Sequence, residues 1–147
     1  MVRLVEHKSE TENKAIERLP LPPKVYIPLS QHIGKICTPE VKIDDYVFIG
    51  QRIGSIQAMV YAPVHASVSG KVTAIQEWPH PVLGRCKSIV IENDGQDKSQ
   101  IPNPKSQIEI DNLTAEQIRN IVLEAGIVGM GGASFPTYIK LNPPKPV

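Results

Sequence analysis

Glycines are concentrated near the carboxyl end of the chain, in a stretch that runs from Gly126 to Lys140. The stretch reads Gly-Ile-Val-Gly-Met-Gly-Gly-Ala-Ser-Phe-Pro-Thr-Tyr-Ile-Lys. Four glycines in its first seven positions let the backbone approach a flat or phosphorylated group closely and turn its N–H groups toward it. Pro136 stiffens the exit, and Lys140 supplies a positive charge that suits a phosphate. The pattern therefore predicts a binding loop for a phosphorylated ligand.

An amphipathic helix precedes this loop and must position it. Thr114 and Gln117 form the Thr-x-x-Gln pattern of a capping box, in which both side chains satisfy backbone N–H groups of the first helical turn. An apolar stripe at positions i, i+3, i+4 and i+7 follows, made by Ile118, Ile121, Val122 and Ala125. Gly126 ends the helix. We expect this stripe to be covered, either by packing on the barrel or by association with a second copy of the chain.

The region from Val25 to Ile91 has a different pattern, of short β-type runs separated by turn residues. β-branched residues dominate it and prolines recur, so we predict no helix longer than one turn. Asp44-Asp45 and Gly50-Gln51 are turn signals between the runs. The predicted strands lie near Val25–Leu29, Val41–Ile43, Arg52–Gln57, Val60–Ala62, Gly70–Gln76 and Lys87–Ile91.

Part of this β region resembles the biotinyl and lipoyl domains. In Val41–Ile56 two short strands are joined by an acidic turn, and a Gly-Gln corner begins a third strand. Ala62-Pro63 and Gly70-Lys71-Val72 are similar to the second half of the biotinyl pattern. The resemblance implies a barrel-sandwich hybrid, in which two small antiparallel sheets pack face to face.

A carrier function is excluded at the position where such domains bear their prosthetic group. Biotin is attached to the lysine of an Ala-Met-Lys-Met hairpin, whereas this chain has Ala58-Met59-Val60-Tyr61. Because Val60 has no nucleophilic nitrogen, we predict that neither biotin nor lipoate is attached and that the barrel is a structural or docking module.

The glycine-rich stretch resembles the flavin-binding loop of the flavoprotein subunit of respiratory complex I and, more closely, that of the C subunit of the Rnf electron-transport complex. Their pattern reads roughly G-x-x-G-x-G-G-A-G-F-P-T-x-x-K. Met130 stands where the complex I form has arginine, and Ser134 replaces the last glycine of the pattern. The matching residues are Gly126, Gly129, Gly131, Gly132, Ala133, Phe135, Pro136, Thr137 and Lys140.

Four further segments resemble the same C subunit in the same order, namely residues 7–20, 25–34, 62–72 and 89–95. The resemblance implies a mainly β chain that ends at the start of an α/β domain. Its expected parts are an extended arm at 1–23, the barrel-sandwich hybrid at 24–92, a linker at 93–112 and the truncated flavin/NADH-binding α/β domain at 113–147.

The resemblance also implies a cofactor chemistry. The full-length subunit would use FMN and NADH, with iron–sulfur clusters in a downstream part that this chain lacks. The implied cofactor-binding residues are Gly129, Gly131, Gly132, Ala133, Phe135, Thr137 and Lys140. In that scheme the loop packs against the isoalloxazine and the ribityl phosphate, whose charge Lys140 neutralises. Because one loop cannot enclose a cofactor, we predict that the chain alone binds neither FMN nor NADH tightly and is inactive.

Composition limits the partners of the chain. Its 16 basic and 15 acidic residues leave a formal net charge of +1 and are scattered, which disfavours nucleic acid and anionic lipid as partners. No apolar run approaches the ~20 residues of a membrane span, and no signal peptide is evident. The resemblance implies a cytoplasmic location, peripheral to the inner or plasma membrane, with other subunits of the membrane complex as partners.

No residue pattern indicates a catalytic or a metal site. The four histidines lack metal-ligand spacing with one another and with the two cysteines. We expect Cys37 and Cys86 to be free thiols. Pro79-His80-Pro81 is interpreted as a rigid exposed loop, and His65 as part of a turn region. Trp78 either stacks on a partner or caps the barrel core.

Two hypotheses about function follow. The first is an electron-transfer protein, the front part of a subunit of an NADH- and ferredoxin-linked oxidoreductase complex. The second is a non-catalytic module whose barrel docks onto partner subunits. The presence or absence of bound flavin distinguishes them.

Overall fold

The structure is a computed structural model that describes residues 8–99 and 112–143. It contains seven strands and two helices in these ranges. In chain order they are β1 (Lys24–Pro28), β2 (Thr38–Pro39), β3 (Tyr46–Val47), β4 (Arg52–Ser55), β5 (Val64–His65), β6 (Gly70–His80), β7 (Gly84–Asn93), α1 (Ala115–Glu124) and α2 (Thr137–Lys140).

The strands form two antiparallel sheets, as the barrel-sandwich hybrid requires. One has the order β1-β7-β6-β3 and the other the order β2-β4-β5. The β6–β7 hairpin pairs from Gly70 opposite Asn93 to His80 opposite Gly84, with an irregularity between Val72 and Ala74. Its two strands are the longest among the described residues, with 11 residues in β6 and 10 in β7.

The apolar core consists of residues from both sheets and from the loops between them. Burial of aliphatic side chains at about 1.5–3 kcal/mol each is the main source of stability for so small a domain. The completely buried aliphatic residues are Leu29, Val47, Ile53, Val72, Ile89 and Ile91.

Most of the strand predictions are confirmed. β1, β4, β6 and β7 lie at the predicted positions, although β6 continues to His80 and β7 begins at Gly84. The described residues between β1 and β7 contain no helix. The underestimated length of β6 and β7 reflects their exposed outer halves, which carry polar residues and therefore lack a clear apolar alternation.

The predicted strand at Val41–Ile43 is wrong. Strands instead flank this segment, at β2 and β3, and the segment itself forms a turn. The Lys42 N–H donates to the Asp45 carboxylate at 2.8 Å, and the Asp45 N–H returns to the Lys42 carbonyl at 3.2 Å. These local hydrogen bonds compete with strand pairing. Val41 is nevertheless buried, which explains why its apolar character resembled that of a strand residue.

The predicted strand at Val60–Ala62 is also wrong, because β5 begins only at Val64. The backbone groups of this segment bond to a loop rather than to a strand. The Val60 carbonyl accepts from the Lys35 N–H at 2.9 Å, and the Ala62 N–H donates to Nε2 of His32 at 2.9 Å.

Three predictions about side chains in the β region need correction. Pro79 and His80 are the last residues of β6 rather than an exposed loop, and His65 belongs to β5 rather than to a turn. Trp78 lies outside the core and stacks on Tyr26, with ring centroids 4.0 Å apart. Whether a partner also contacts Trp78 stays untested.

The predicted ends of the helix are confirmed, whereas the predicted burial of its apolar stripe is not. Thr114 and Gln117 form both hydrogen bonds of the capping box, and Gly126 follows the helix with a φ of 65°. No residue of α1 is buried, however, and Ile118 and Ile121 are 41% and 42% exposed. α1 lies beside α2, a helix too short to cover the stripe. Coverage by a second copy stays a prediction.

The chain on either side of the barrel was predicted to be an arm and a linker. In the described part of the arm, a turn at 8–14 precedes residues without regular structure. Asn93 holds the end of the arm, because its backbone N–H donates to the Pro23 carbonyl and its side chain to the Pro22 carbonyl. Most of the predicted linker, from 100 to 111, lies outside the described residues.

Candidate functional site

Residues 126–140, here called the glycine loop, comprise a closed turn that follows α1 and the short helix α2. The Gly129 N–H donates to the Phe135 carbonyl at 3.0 Å, and the Thr137 N–H donates to the Ile127 carbonyl at 3.0 Å. Pro136, which is fully buried, lies at the base. The residues between Gly129 and Phe135 therefore project as an arch.

The backbone of the arch is left-handed at two positions. Gly132 has a φ of 62° and Ser134 a φ of 52°. Glycine adopts this conformation freely, whereas a residue with a Cβ is destabilised by about 1–2 kcal/mol. The flavin-loop pattern has glycine where this chain has Ser134, so the structure supplies a physical reason for that glycine and shows that serine occupies the same backbone conformation.

The top of the arch is open. A Cβ added to Gly131 or Gly132 would meet no atom within 4 Å, and both residues are exposed. Gly129 differs, because a Cβ there would lie 2.8 Å from Nζ of Lys140. The ammonium group therefore lies against the bare backbone of Gly129, at the foot of the arch.

Lys140 ends α2, and its Nζ lies 6.0 Å from the centroid of the Phe135 ring. This is at the outer limit of a cation–π contact. Among the residues that the structure describes, Lys140 forms no ion pair. Its positive charge is therefore available to an anionic group.

The predicted site residues thus fall into three groups. Gly129, Phe135 and Lys140 are brought together at the foot of the arch, and Gly131 with Gly132 forms its open top. The two remaining residues, Ala133 and Thr137, contribute backbone groups to hydrogen bonds that hold the loop. The Ala133 carbonyl accepts from the Ile33 N–H at 2.9 Å, and the Thr137 N–H closes the turn.

The residues present fit one edge of a phosphorylated flavin. Bare backbone at Gly131 and Gly132 allows close approach of a ring or a phosphate, and Lys140 supplies a cation. A cofactor site normally buries most of its ligand between several elements. The glycine loop by itself would form only one wall of a site of that kind.

A groove of about 860 Å³ lies where the glycine loop meets the barrel. Five parts of the chain line it: the second half of β1, the loop after β1, residues 65 and 67 at the end of β5, the tip of the β6–β7 hairpin, and residues 132–134 of the glycine loop. None of the lining residues is Asp, Glu, Lys or Arg. Sequence reasoning missed this groove, because nothing in the local patterns indicates that these distant segments meet.

Three histidines line the groove, and two of them accept hydrogen bonds from backbone N–H groups. Nε2 of His32 accepts the Ala62 N–H, and burial lowers the pKa of His32. Nδ1 of His80 accepts the Val82 and Leu83 N–H groups, so its Nε2 donates to the Ser30 carbonyl at 2.9 Å. Burial also lowers the pKa of His65. Their geometry supports structural roles, and across 8–99 and 112–143 no cluster of acidic, His or Cys residues could hold a metal ion.

The barrel also contains two buried thiols and a hydrogen-bonded carboxylate. Cys37 and Cys86 are free and buried. Burial, with the charge of Glu40, raises the pKa of Cys37 to about 11, so it is an unreactive thiol at neutral pH. The Asp94 carboxylate accepts hydrogen bonds from Tyr46, the Gln96 N–H and Ser69, which lower its pKa to about 2.

Comparisons with known proteins agree with this architecture. The family model of the RnfC barrel sandwich hybrid domain matches residues 2–96. The helices of the described ranges are all too short or too polar to cross a membrane.

Curated relatives resemble almost the whole chain. It is 47% identical over 141 residues, 95% of its length, to the C subunit of the proton-translocating ferredoxin:NAD(+) oxidoreductase complex of Clostridium ljungdahlii. It is 51% identical over 123 residues, 84% of its length, to the C subunit of the Na(+)-translocating ferredoxin:NAD(+) oxidoreductase complex of Acetobacterium woodii. The C subunit of the ion-translocating oxidoreductase complex of Rhodobacter capsulatus is 41% identical over 138 residues, 92% of the chain.

These matches cover 30%, 28% and 26% of the respective relatives, so the chain spans less than a third of their length. The matched part includes the two-sheet barrel and, in the longest alignment, 95% of the chain. With its barrel-sandwich hybrid and the family match over 2–96, the chain belongs to the RnfC family, the C subunits of ion-translocating oxidoreductase complexes.

Proposed function

We propose that this chain is the amino-terminal part of an electron-transfer subunit in a membrane-associated oxidoreductase complex that links NADH and ferredoxin. The names of the relatives support this proposal, since two of them are subunits of ferredoxin:NAD(+) oxidoreductase complexes. The structural observation that carries it is the open backbone at Gly131 and Gly132, on the same loop whose Gly129 backbone lies against the Lys140 ammonium group.

In this proposal the glycine loop belongs to the first part of a flavin/NADH-binding α/β domain. FMN bound in the full-length subunit would supply the redox chemistry that links NADH with iron–sulfur clusters in the downstream part. Gly131 and Gly132 allow the close approach of the flavin, and Lys140 neutralises its phosphate. The complex would place the chain on the cytoplasmic face of the membrane, as a peripheral part in contact with other subunits.

Flavin content of the full-length subunit tests the proposal. Lys140→Ala should reduce the molar ratio of flavin to protein severalfold through loss of the cation, and Gly131→Leu should reduce it by steric exclusion. Lys42→Ala, which removes an exposed lysine from the barrel turn, is the matched control and should leave the ratio unchanged. Full flavin occupancy in both loop variants would place the site elsewhere. The 147-residue chain alone should be colourless.

A docking role for the barrel is the second candidate, and the groove favours it. The groove has no charged lining residue and exposes four large apolar side chains, those of Ile33, Ile36, Val82 and Leu83. Such a surface fits an uncharged apolar segment of another subunit of the complex. A photo-crosslinking residue at Val82 in the assembled complex should couple to a neighbouring subunit, whereas the same residue at Lys42 should not. Equal coupling from both positions would refute this role.

A further inference from the structure

One loop of the barrel, Gln31–Gly34, contacts the glycine loop at its most constrained point. The Ile33 N–H donates to the Ala133 carbonyl at 2.9 Å. Ala133 lies between Gly132 and Ser134, the two left-handed residues of the arch. A hydrogen bond from the barrel therefore holds the arch at its sharpest bend, where a small displacement would redirect the bare backbone beside it.

The Gln31–Gly34 loop is itself held from its other side, by the hairpin that contains Val60 and Ala62. The Ala62 N–H donates to Nε2 of His32 at 2.9 Å, and the Lys35 N–H donates to the Val60 carbonyl at 2.9 Å. Gly34 has a φ of 137°, and a Cβ there would collide with the Val60 carbonyl oxygen. Only glycine allows the two backbones to approach this closely.

The beginning of the glycine loop rests on the barrel as well. A Cβ on Gly126 would lie 2.5 Å from the Pro63 carbonyl oxygen and 3.1 Å from the His65 ring. The last residue of α1, Glu124, accepts from Arg52 at 2.7 Å. This ion pair is exposed and stabilises little by itself, but it lies beside the close contact at Gly126.

We infer that the barrel positions the glycine loop and that His32 is the positioning residue on which the arch contact depends. The neutral imidazole accepts the Ala62 N–H and so holds the adjacent Ile33 N–H within reach of the Ala133 carbonyl. The hairpin that contains Val60 and Ala62 corresponds to the one that bears a prosthetic group in biotinyl-type domains. In this chain it supports the glycine loop through His32 instead. What the loop binds rests on the proposed function, whereas the positioning contact does not.

Amide hydrogen exchange of the 147-residue chain tests the positioning role. His32→Ala should accelerate exchange at Gly129, Ser134 and Thr137 at least tenfold. The β7 amides of Ile89 and Ile91 should exchange as in the unsubstituted chain. His32→Gln, whose amide oxygen can accept the Ala62 N–H, should restore most of the protection. The inference is overturned if the loop amides of His32→Ala exchange normally, if β7 accelerates equally, or if His32→Gln behaves like His32→Ala.

A second pair of variants keeps the test open if His32→Ala does not fold. Gly34→Ala introduces a Cβ against Val60, whereas Gly84→Ala is also at a positive φ but meets nothing within 4 Å. Only Gly34→Ala should accelerate exchange in the glycine loop. Equal effects of both variants would contradict the inference.

Flavin content of the full-length subunit separates this inference from the proposed function. His32→Ala should lower flavin occupancy and His32→Gln should preserve it. If the unsubstituted subunit holds no flavin, the proposed function fails while the exchange result stands. If Lys140→Ala depletes flavin and His32→Ala changes neither exchange nor flavin, the proposed function stands and the positioning role fails.

Discussion

The barrel and the segment that carries the glycine loop are stabilised in different ways. The barrel has a closed apolar core between two sheets. Within 112–143, only Pro136 is buried, and α1 has no buried residue. The barrel therefore has its own source of stability, whereas the segment depends on local hydrogen bonds and on contacts with the barrel.

This difference shows how the proposed binding loop is held without a core of its own. Segments with few buried apolar contacts open locally at a lower free energy than the core does. The glycine loop has residues that suit a ligand. The barrel, which has its own core, donates the hydrogen bond that holds the bend of this loop. A substitution that destabilises one region is therefore not expected to destabilise the other equally. Variants in each region test this expectation.

The largest effect is expected for the core of the barrel. Ile89→Ala should lower the free energy of unfolding by about 2–5 kcal/mol, because Ile89 is completely buried and its removal leaves a cavity. Ile121→Ala, a matched change on the exposed stripe of α1, should cost less than about 1 kcal/mol. Denaturant unfolding followed by circular dichroism measures both. Equal losses would mean that the helix is as well packed as the barrel.

A close backbone contact gives the next largest effect. Gly70 has a φ of 152°, and a Cβ there would collide with the Glu92 carbonyl oxygen of the paired strand. Gly70→Ala should therefore destabilise the barrel by about 2–3 kcal/mol. Gly95→Ala has a positive φ but no atom within 4 Å, so it should cost only the backbone strain of about 1 kcal/mol. A Gly70→Ala variant as stable as Gly95→Ala would contradict the pairing at this position.

The pH dependence of stability should report on the interface between the two regions. Burial lowers the pKa of His32 and His65 below the ordinary value of 6.5. Below that value the unfolded chain binds protons that the folded chain does not, so stability should fall as the pH decreases from 6.5 toward the lower folded-state pKa values. The double variant His32→Gln, His65→Asn should show a flatter profile between pH 7.5 and about pH 5.5. An unchanged slope would show that the two imidazoles are not buried in solution.

The smallest effect is expected for the exposed ion pair between the regions. Arg52 contacts both Glu40 and Glu124, at 2.8 and 2.7 Å. Glu124→Gln should reduce stability by less than about 1 kcal/mol, with the difference diminishing as salt is added. A double-mutant cycle with Arg52→Ala isolates the pair. A coupling energy of several kcal/mol would show that this ion pair joins the two regions more strongly than the exposure of its side chains indicates.

Local signals predicted those parts of the structure that local interactions determine. The capping box at Thr114 and Gln117 and the positive φ of Gly126 are properties of a few neighbouring residues, and both appear in the structure. Val41 was misassigned because its burial resembles that of a strand residue while the Asp45 carboxylate directs a turn. The candidate site residues were all found on one loop, but their division between foot and top of the arch was not foreseeable.

The sequence by itself determined the family, the β character of the first two thirds of the chain, the helix with its caps and the composition of the glycine loop. These depend on residue types at short spacing, where propensity, capping and glycine conformation act directly. Only the tertiary structure decided that the Ile33 N–H bonds to the Ala133 carbonyl and that His32 accepts the Ala62 N–H. It also decided that segments distant in the chain line one groove. Such contacts join residues far apart in the chain, and their geometry depends on how the two sheets pack.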